Sequence, residues 1–200
     1  MPRSLRVNLP GLTYHAWAHS TSGTTLFRDD VDKDAAVRLL REEVAHSRWT
    51  CLAYVIMSTH YHLLLRLDEA TLSSGFFRLN LRYARYYNRR YDRRGHVFER
   101  RFDARIVEGE ADELETARYI ALNPPRANMC ALPEEYGWSS YGSIIGLYPR
   151  DPIVDLDAAL APVGGSRAAY RRFVEEGDPR RRRGQVRTRP RKTVRVTVRA

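Results

Sequence analysis

His60-Tyr61-His62 is the first place along the chain where residue type and spacing suggest chemistry. In an extended strand, side chains two apart share a face, so both imidazoles can turn toward one point while Tyr61 faces the other way. Neutral imidazoles bind divalent first-row ions well, and uncharged ligands leave the ion's charge available to polarise a phosphate oxygen. The pair alone has an ordinary explanation too, because with six histidines in 200 residues an H-x-H arises easily by chance. Tyr119 and Asn123 form a second constellation. Four residues apart at the end of a helix, they share a face, so a phenol and an amide oxygen can meet the same phosphate or metal. Here the competing reading is a half-buried core tyrosine and a helix C-cap ahead of Pro124 and Pro125, and twelve tyrosines compete for any nucleophilic role.

The elements that must position these groups follow from pattern. Residues 12–18 alternate after Pro10-Gly11 and predict a strand, and residues 19–25 predict a loop. Asp32 or a neighbouring aspartate can cap a helix carrying Val37, Leu40 and Val44 at helical spacing and ending near His46. Residues 49–57 and 60–67 are β-favouring runs separated by Ser58-Thr59, which predicts two antiparallel strands. From Leu72 to about Tyr91 a helix places Leu72, Phe76, Leu79, Tyr83 and Tyr86 on one stripe and Arg78, Arg82, Arg85 and Arg89 on another. Ala104 to Val107 predicts a short final strand. A last clear helix starts at Asp112 and stops near Asn123, where the two prolines remove donors and clash with the preceding turn. Beyond Pro133 the pattern is looser, with a short amphipathic segment near residues 168–176. The order strand, helix, strand, strand, helix, strand, helix is the α+β ferredoxin-like plan, an antiparallel sheet with helices on one face and one added helix that carries Tyr119. The division expected is residues 1–147 for this domain, 148–177 for a helical extension and 178–200 for a disordered basic tail.

The net charge of +10 depends on where it lies. Arg180, Arg181, Arg182, Arg183, Arg187, Arg189, Arg191, Lys192, Arg195 and Arg199 face one carboxylate, Asp178, so nearly all of it falls in the last 23 residues. Such a block cannot bury enough apolar surface to offset its ordering entropy, and it would add salt-dependent affinity for any polyanion with little sequence information. Cys51 and Cys130 lie in no C-x-x-C arrangement, so two reduced thiols are expected, without a disulfide or structural zinc. No run approaches the ~18 apolar residues of a membrane span. Met1-Pro2-Arg3-Ser4-Leu5 leads into a turn without the apolar run of a secretion signal, so the expected location is the cytoplasm.

Seven collinear stretches covering about residues 10–145 carry a family resemblance. They are Y-H-A-W-A (14–18), L-F-R-D-D (26–30), M-S-T-H-Y-H-L-L-L (57–65), Y-A-R-Y-Y-N-R-R-Y (83–91), G-H-V-F-E-R-R-F (95–102), A-R-Y-I-A-L-N-P-P-R-A (117–127) and Y-G-W-S-S-Y (136–141). In these the chain resembles the REP-associated tyrosine transposases, single-tyrosine enzymes of small bacterial insertion sequences. The resemblance implies that His60 and His62 bind a metal, Mg²⁺ or Mn²⁺, that Asn123 supports it, and that Tyr119 is the nucleophile that cuts single-stranded or hairpin DNA through a 5′-phosphotyrosine. Two positions depart from the family pattern: Ser58-Thr59 stands where Pro-Asn is usual, and Ala18-His19-Ser20 where a basic R-G-N is usual. The expected DNA-binding residues are Arg78, Arg82, Arg85, Arg89, Arg100, Arg101 and Arg126, with Tyr87, Tyr91 or His96 available to stack on bases.

Two other readings fit the same residues. One is a catalytically silent hairpin DNA- or RNA-binding regulator, whose binding would survive Tyr119→Phe. The other is a replication-initiator or relaxase-type nuclease, which shares the H-x-H and tyrosine chemistry. No nucleotide cofactor is expected, since the chain lacks G-x-x-x-x-G-K-[ST], and it also lacks G-x-S-x-G and H-E-x-x-H. Monomer and homodimer are both compatible with the sequence.

Overall fold

The structure, a computed structural model, describes residues 9–21 and 24–178. The readings placed on Met1 to Leu5 and on the basic tail beyond Asp178 lie outside the described residues. Strands β1 (Leu12–His19), β2 (Trp49–Ile56), β3 (His60–Leu67) and β4 (Asp103–Val107) form one antiparallel sheet in the order β2-β3-β1-β4. Helix α1 (Asp30–Ser47) joins β1 to β2, and α2 (Leu72–Arg90) joins β3 to β4, which is the ferredoxin-like plan.

Strand β3 shows how the two faces are used. Tyr61 turns toward α2, where its ring stacks on Phe76 at 6.1 Å and its hydroxyl donates to Asn80 Oδ1 at 2.6 Å. His60, His62 and Leu64 therefore project from the opposite face. Leu63 and Leu64 are both 0% exposed, so the second face is covered as well. The cover is α3 (Gly109–Ala121), which packs on β2, β3 and β4.

Asp29 caps α1, accepting from the Asp32 backbone N–H at 3.0 Å. Asp32 itself is buried in the first turn, where it accepts from Arg28 N at 2.9 Å, Tyr86 Oη at 3.0 Å, Tyr91 Oη at 2.7 Å and the Arg90 guanidinium. These bonds tie the start of α1 to the end of α2. Helix α3 begins three residues before the expected Asp112, because Gly109 at φ +77 turns the chain directly out of β4. It ends at Ala121, and Asn123 opens a separate turn, α4 (Asn123–Arg126), instead of capping α3. Pro124 and Pro125 fit the first turn of α4, where a missing N–H costs nothing.

The region beyond Pro133 folds as short pieces, among them α5 (Tyr141–Ile144), α6 (Leu156–Leu160) and α7 (Arg167–Glu176). They cover the outer edge of β2: Ile56 N donates to Trp138 O at 2.9 Å, Ser140 N to Tyr54 O at 3.1 Å, and Asp155 N to Cys51 O at 2.9 Å. A strand edge that would otherwise offer unpaired groups is thereby closed. Cys51 is buried and Cys130 half-buried, and no disulfide joins them. Among the described residues no helix is long and apolar enough to cross a membrane.

Candidate active site

The antiparallel register of β1 and β3 sets His19 opposite His60 and Trp17 opposite His62. Residues directly opposite share a face, so His15, Trp17 and His19 join His60 and His62 on the α3 side of the sheet. The His19 and His60 rings stack at 4.8 Å, the His60 and His62 rings meet edge-on at 5.0 Å, and His15 Nε2 lies 3.1 Å from His62 Nδ1. His15 and His19 were not singled out in the sequence, although His15-Ala16-Trp17-Ala18-His19 carries the same two-residue spacing that drew attention to His60 and His62.

Helix α3 brings Tyr119 over this group, its ring 5.3 Å from that of His62 and 5.7 Å from that of His15. The helix is held there by Arg105 on β4, which donates to Asp112 Oδ2 at 2.7 Å, to Asp112 Oδ1 at 2.8 Å and to Thr116 Oγ1 at 2.6 Å. Tyr119 is nevertheless 41% exposed. Asn123 lies within interaction range of His60, and Thr59 Oγ1 lies 3.0 Å from His60 Nδ1. The four residues expected to form the site thus come from three segments, and the structure brings them together.

Burial and nearby positive charge keep His15, His60 and His62 uncharged. Desolvation, followed by His15, His60 and His19, pushes His62 down to about 2. Desolvation and then His19 push His60 down to about 4, against Asn123. Desolvation and then the Arg105 cation bring His15 down to about 4, against Asp112. All three are neutral at pH 7, the form in which imidazole offers a lone pair. His62 Nε2 is buried and has no hydrogen-bond partner among the described residues. A buried nitrogen without a partner is costly unless something binds it, so the donor set of His60, His62 and Asn123 fits a divalent cation. Among the described residues no group of three or more His, Cys, Asp or Glu side chains is arranged to hold a metal. Further ligands would have to come from substrate and solvent, as Mg²⁺ commonly requires.

The cations are placed unevenly. Arg126 is exposed, its guanidinium carbon 6.0 Å from the centre of the Tyr119 ring. Arg100 and Arg101 are exposed on the segment entering β4, Arg100 pairing with Asp103 at 3.3 Å. That segment runs beside the site, because Glu99 N donates to His19 O at 3.0 Å and Thr21 N to Val97 O at 3.0 Å. Exposed His96 lies on the same connection. Arg85 and Arg89 are exposed and make no ion pair among the described residues. Arg78 instead donates to the buried Glu43 carboxylate at 2.7 Å and to Ser47 Oγ at 2.7 Å, and Arg82 pairs with Glu42. Tyr87 is 0% exposed, with its hydroxyl donating to Thr25 O at 2.9 Å, and so presents no ring face for stacking. Tyr91 is half-buried beneath Arg28, whose guanidinium lies 4.1 Å from the ring centre.

The antiparallel ferredoxin-like sheet thus presents paired histidines beneath a helix-borne tyrosine. Residues 8–123 match the family model of the IS200-like transposases, and the chain belongs to that family of enzymes. Comparison with curated proteins gave no match. A solved structure of the REP-associated tyrosine transposase bound to a REP hairpin shares the fold at a TM-score of 0.62, with 17% sequence identity over 76% of this chain and 90% of that one. Both comparisons agree with the family resemblance carried by the seven motifs.

Proposed function

We propose that this transposase cuts and rejoins single-stranded DNA, with Tyr119 as nucleophile and His60, His62 and Asn123 as the ligands of a divalent cation. The observation that carries the reading is the accessible Tyr119 phenol held beside neutral His62, whose Nε2 is buried without a partner. Mg²⁺ or Mn²⁺ bound there would supply positive charge to a non-bridging oxygen of the scissile phosphate. The Tyr119 oxygen forms a bond to phosphorus as the bond to the 3′ oxygen breaks, leaving a 5′-phosphotyrosine and a free 3′-hydroxyl. The phosphodiester energy is kept, so a 3′-hydroxyl can reverse the step and rejoin DNA without a nucleotide cofactor. Arg126, beside the tyrosine ring, is placed to pair with the phosphate or its neighbour.

Arg85, Arg89, Arg100 and Arg101 form the rest of the proposed binding surface, and a hairpin with a single-stranded flank is the proposed substrate. The hairpin carried by the structural neighbour supports that choice. Arg78, Arg82 and Tyr87 are left out because their side chains are committed within the fold.

The test is incubation with end-labelled hairpin DNA from the flanks of the protein's own gene, with Mg²⁺ or Mn²⁺, resolved on a denaturing protein gel. Label migrating with wild-type protein, lost with EDTA and absent for Tyr119→Phe, is the expected result. Hairpin binding that persists in both proteins without any adduct would show a silent binding protein instead.

A further inference from the structure

We infer that His15 is a positioning residue that fixes the tautomer of His62, accepting a hydrogen bond from His62 Nδ1–H so that His62 Nε2 keeps its lone pair. The inference rests on the metal reading for what that lone pair is used for, and on the geometry of the two rings for the tautomer itself. His15 Nε2 and His62 Nδ1 are 3.1 Å apart, and a hydrogen bond between two neutral ring nitrogens takes one proton on one of them. A proton on His62 Nδ1 leaves Nε2 able to ligate. A proton on His15 Nε2 instead would put the His62 proton on Nε2, a buried donor with no acceptor, and the ring could not bind a cation. His62 Nε2 has no hydrogen-bond partner among the described residues, so the contact with His15 is the hydrogen bond through which its proton can be placed.

His15 is built for that role. It is 7% exposed, its ring lies 4.9 Å from that of Trp17 and 5.7 Å from that of Tyr119, and its place on β1 is fixed opposite Leu64 and Arg105. A partner that orients a ligand histidine through its other nitrogen typically changes metal affinity about 10–100-fold when removed.

The experiment uses metal-free, ¹⁵N-histidine-labelled full-length protein and two-bond ¹H–¹⁵N correlation spectra, with the His62 signals assigned from His62→Asn. In the wild type, Nε2 of His62 should resonate as an unprotonated nitrogen and Nδ1 as a protonated one. In His15→Phe the His62 pattern should move toward protonated Nε2, and Mn²⁺ binding measured by electron paramagnetic resonance should weaken about 10–100-fold. His15→Gln, whose amide oxygen can accept the same bond, should restore both. A wild-type His62 with protonated Nε2, or His62 signals unchanged in folded His15→Phe, overturns the inference. The expected tautomer together with no Mn²⁺ uptake by the wild type would overturn the metal reading and leave the tautomer assignment standing.

Discussion

Asp112 and Thr116 lie seven and three residues before Tyr119 on α3, and Arg105 grips both from β4. The guanidinium bonds are the main reason that the Asp112 carboxyl is held down at about 2 from its ordinary 3.8. A depressed carboxylate contributes stability that is complete above its unfolded value and is lost as pH falls through its folded one, here between about 3.8 and about 2. Urea unfolding at pH 5 and again near pH 2.5 should therefore show a larger loss in wild type than in Asp112→Asn. The difference should stay under about 1 kcal/mol, because the pair is near the surface. Equal losses in the two proteins would remove the tie between Arg105 and Asp112 from the forces that place Tyr119. At this scale the sequence was informative wherever chemistry and spacing coincide in one segment, as for His60 with His62 and Tyr119 with Asn123. The contribution of His15 and His19 depends on β1 pairing with β3 in one register, and pairing is a property of two segments far apart in the chain.

The seam between α1 and α2 separates helix faces that look alike in sequence. Arg78, Arg82, Arg85 and Arg89 recur at helical spacing and read as one basic stripe, yet Arg78 and Arg82 meet Glu43 and Glu42 of α1 while Arg85 and Arg89 do not. Glu43 is 2% exposed and also accepts from Ser47 Oγ at 2.6 Å. Removing its cation would strand a buried carboxylate, at a cost of about 3–5 kcal/mol. Arg78→Ala should thus lower the unfolding free energy by that order, and the folded protein should retain its hairpin affinity at low temperature. Arg85→Ala and Arg89→Ala should do the reverse, moving stability by less than about 0.5 kcal/mol and weakening hairpin binding in a salt-dependent way. Calorimetry paired with fluorescence anisotropy distinguishes the two patterns, and a loss of affinity for Arg78→Ala equal to that for Arg85→Ala would return Arg78 to the DNA surface. The elements themselves were legible because period and punctuation agree, from the alternating strands to the capped α1. The division of labour within α2 was not, because a helical stripe records which residues share a face and not which carboxylates the fold brings to it.

On the scale of the whole molecule, all of the formal net charge of +10 belongs to residues 179–200, and the preceding chain is electrically balanced. Near the site Arg100, Arg101 and Arg126 are exposed, while carboxylates pair with part of the basic charge there, Asp103 with Arg100 and Asp112 with Arg105. Two sources of affinity for DNA follow. On the proposed function, placed groups around Tyr119 would act at short range and depend on the shape of the strand, while the basic segment would act through counterion release and be indifferent to sequence. A chain ending at Asp178 should bind its hairpin and an unrelated strand of equal length more weakly by similar factors, so that the ratio of the two affinities is preserved. On single strands, the slope of log affinity against log salt should flatten by about 0.7 for each phosphate that the shortened chain no longer neutralises. Because Tyr119, His60, His62 and Asn123 all precede the cut, the covalent adduct should still form when low salt or high protein concentration restores binding. Anisotropy titrations over a range of salt, run beside the adduct assay, measure all three quantities. An unchanged slope would place phosphate neutralisation wholly within the folded domain, and a selective loss of hairpin affinity would give the basic segment a part in recognising the hairpin itself.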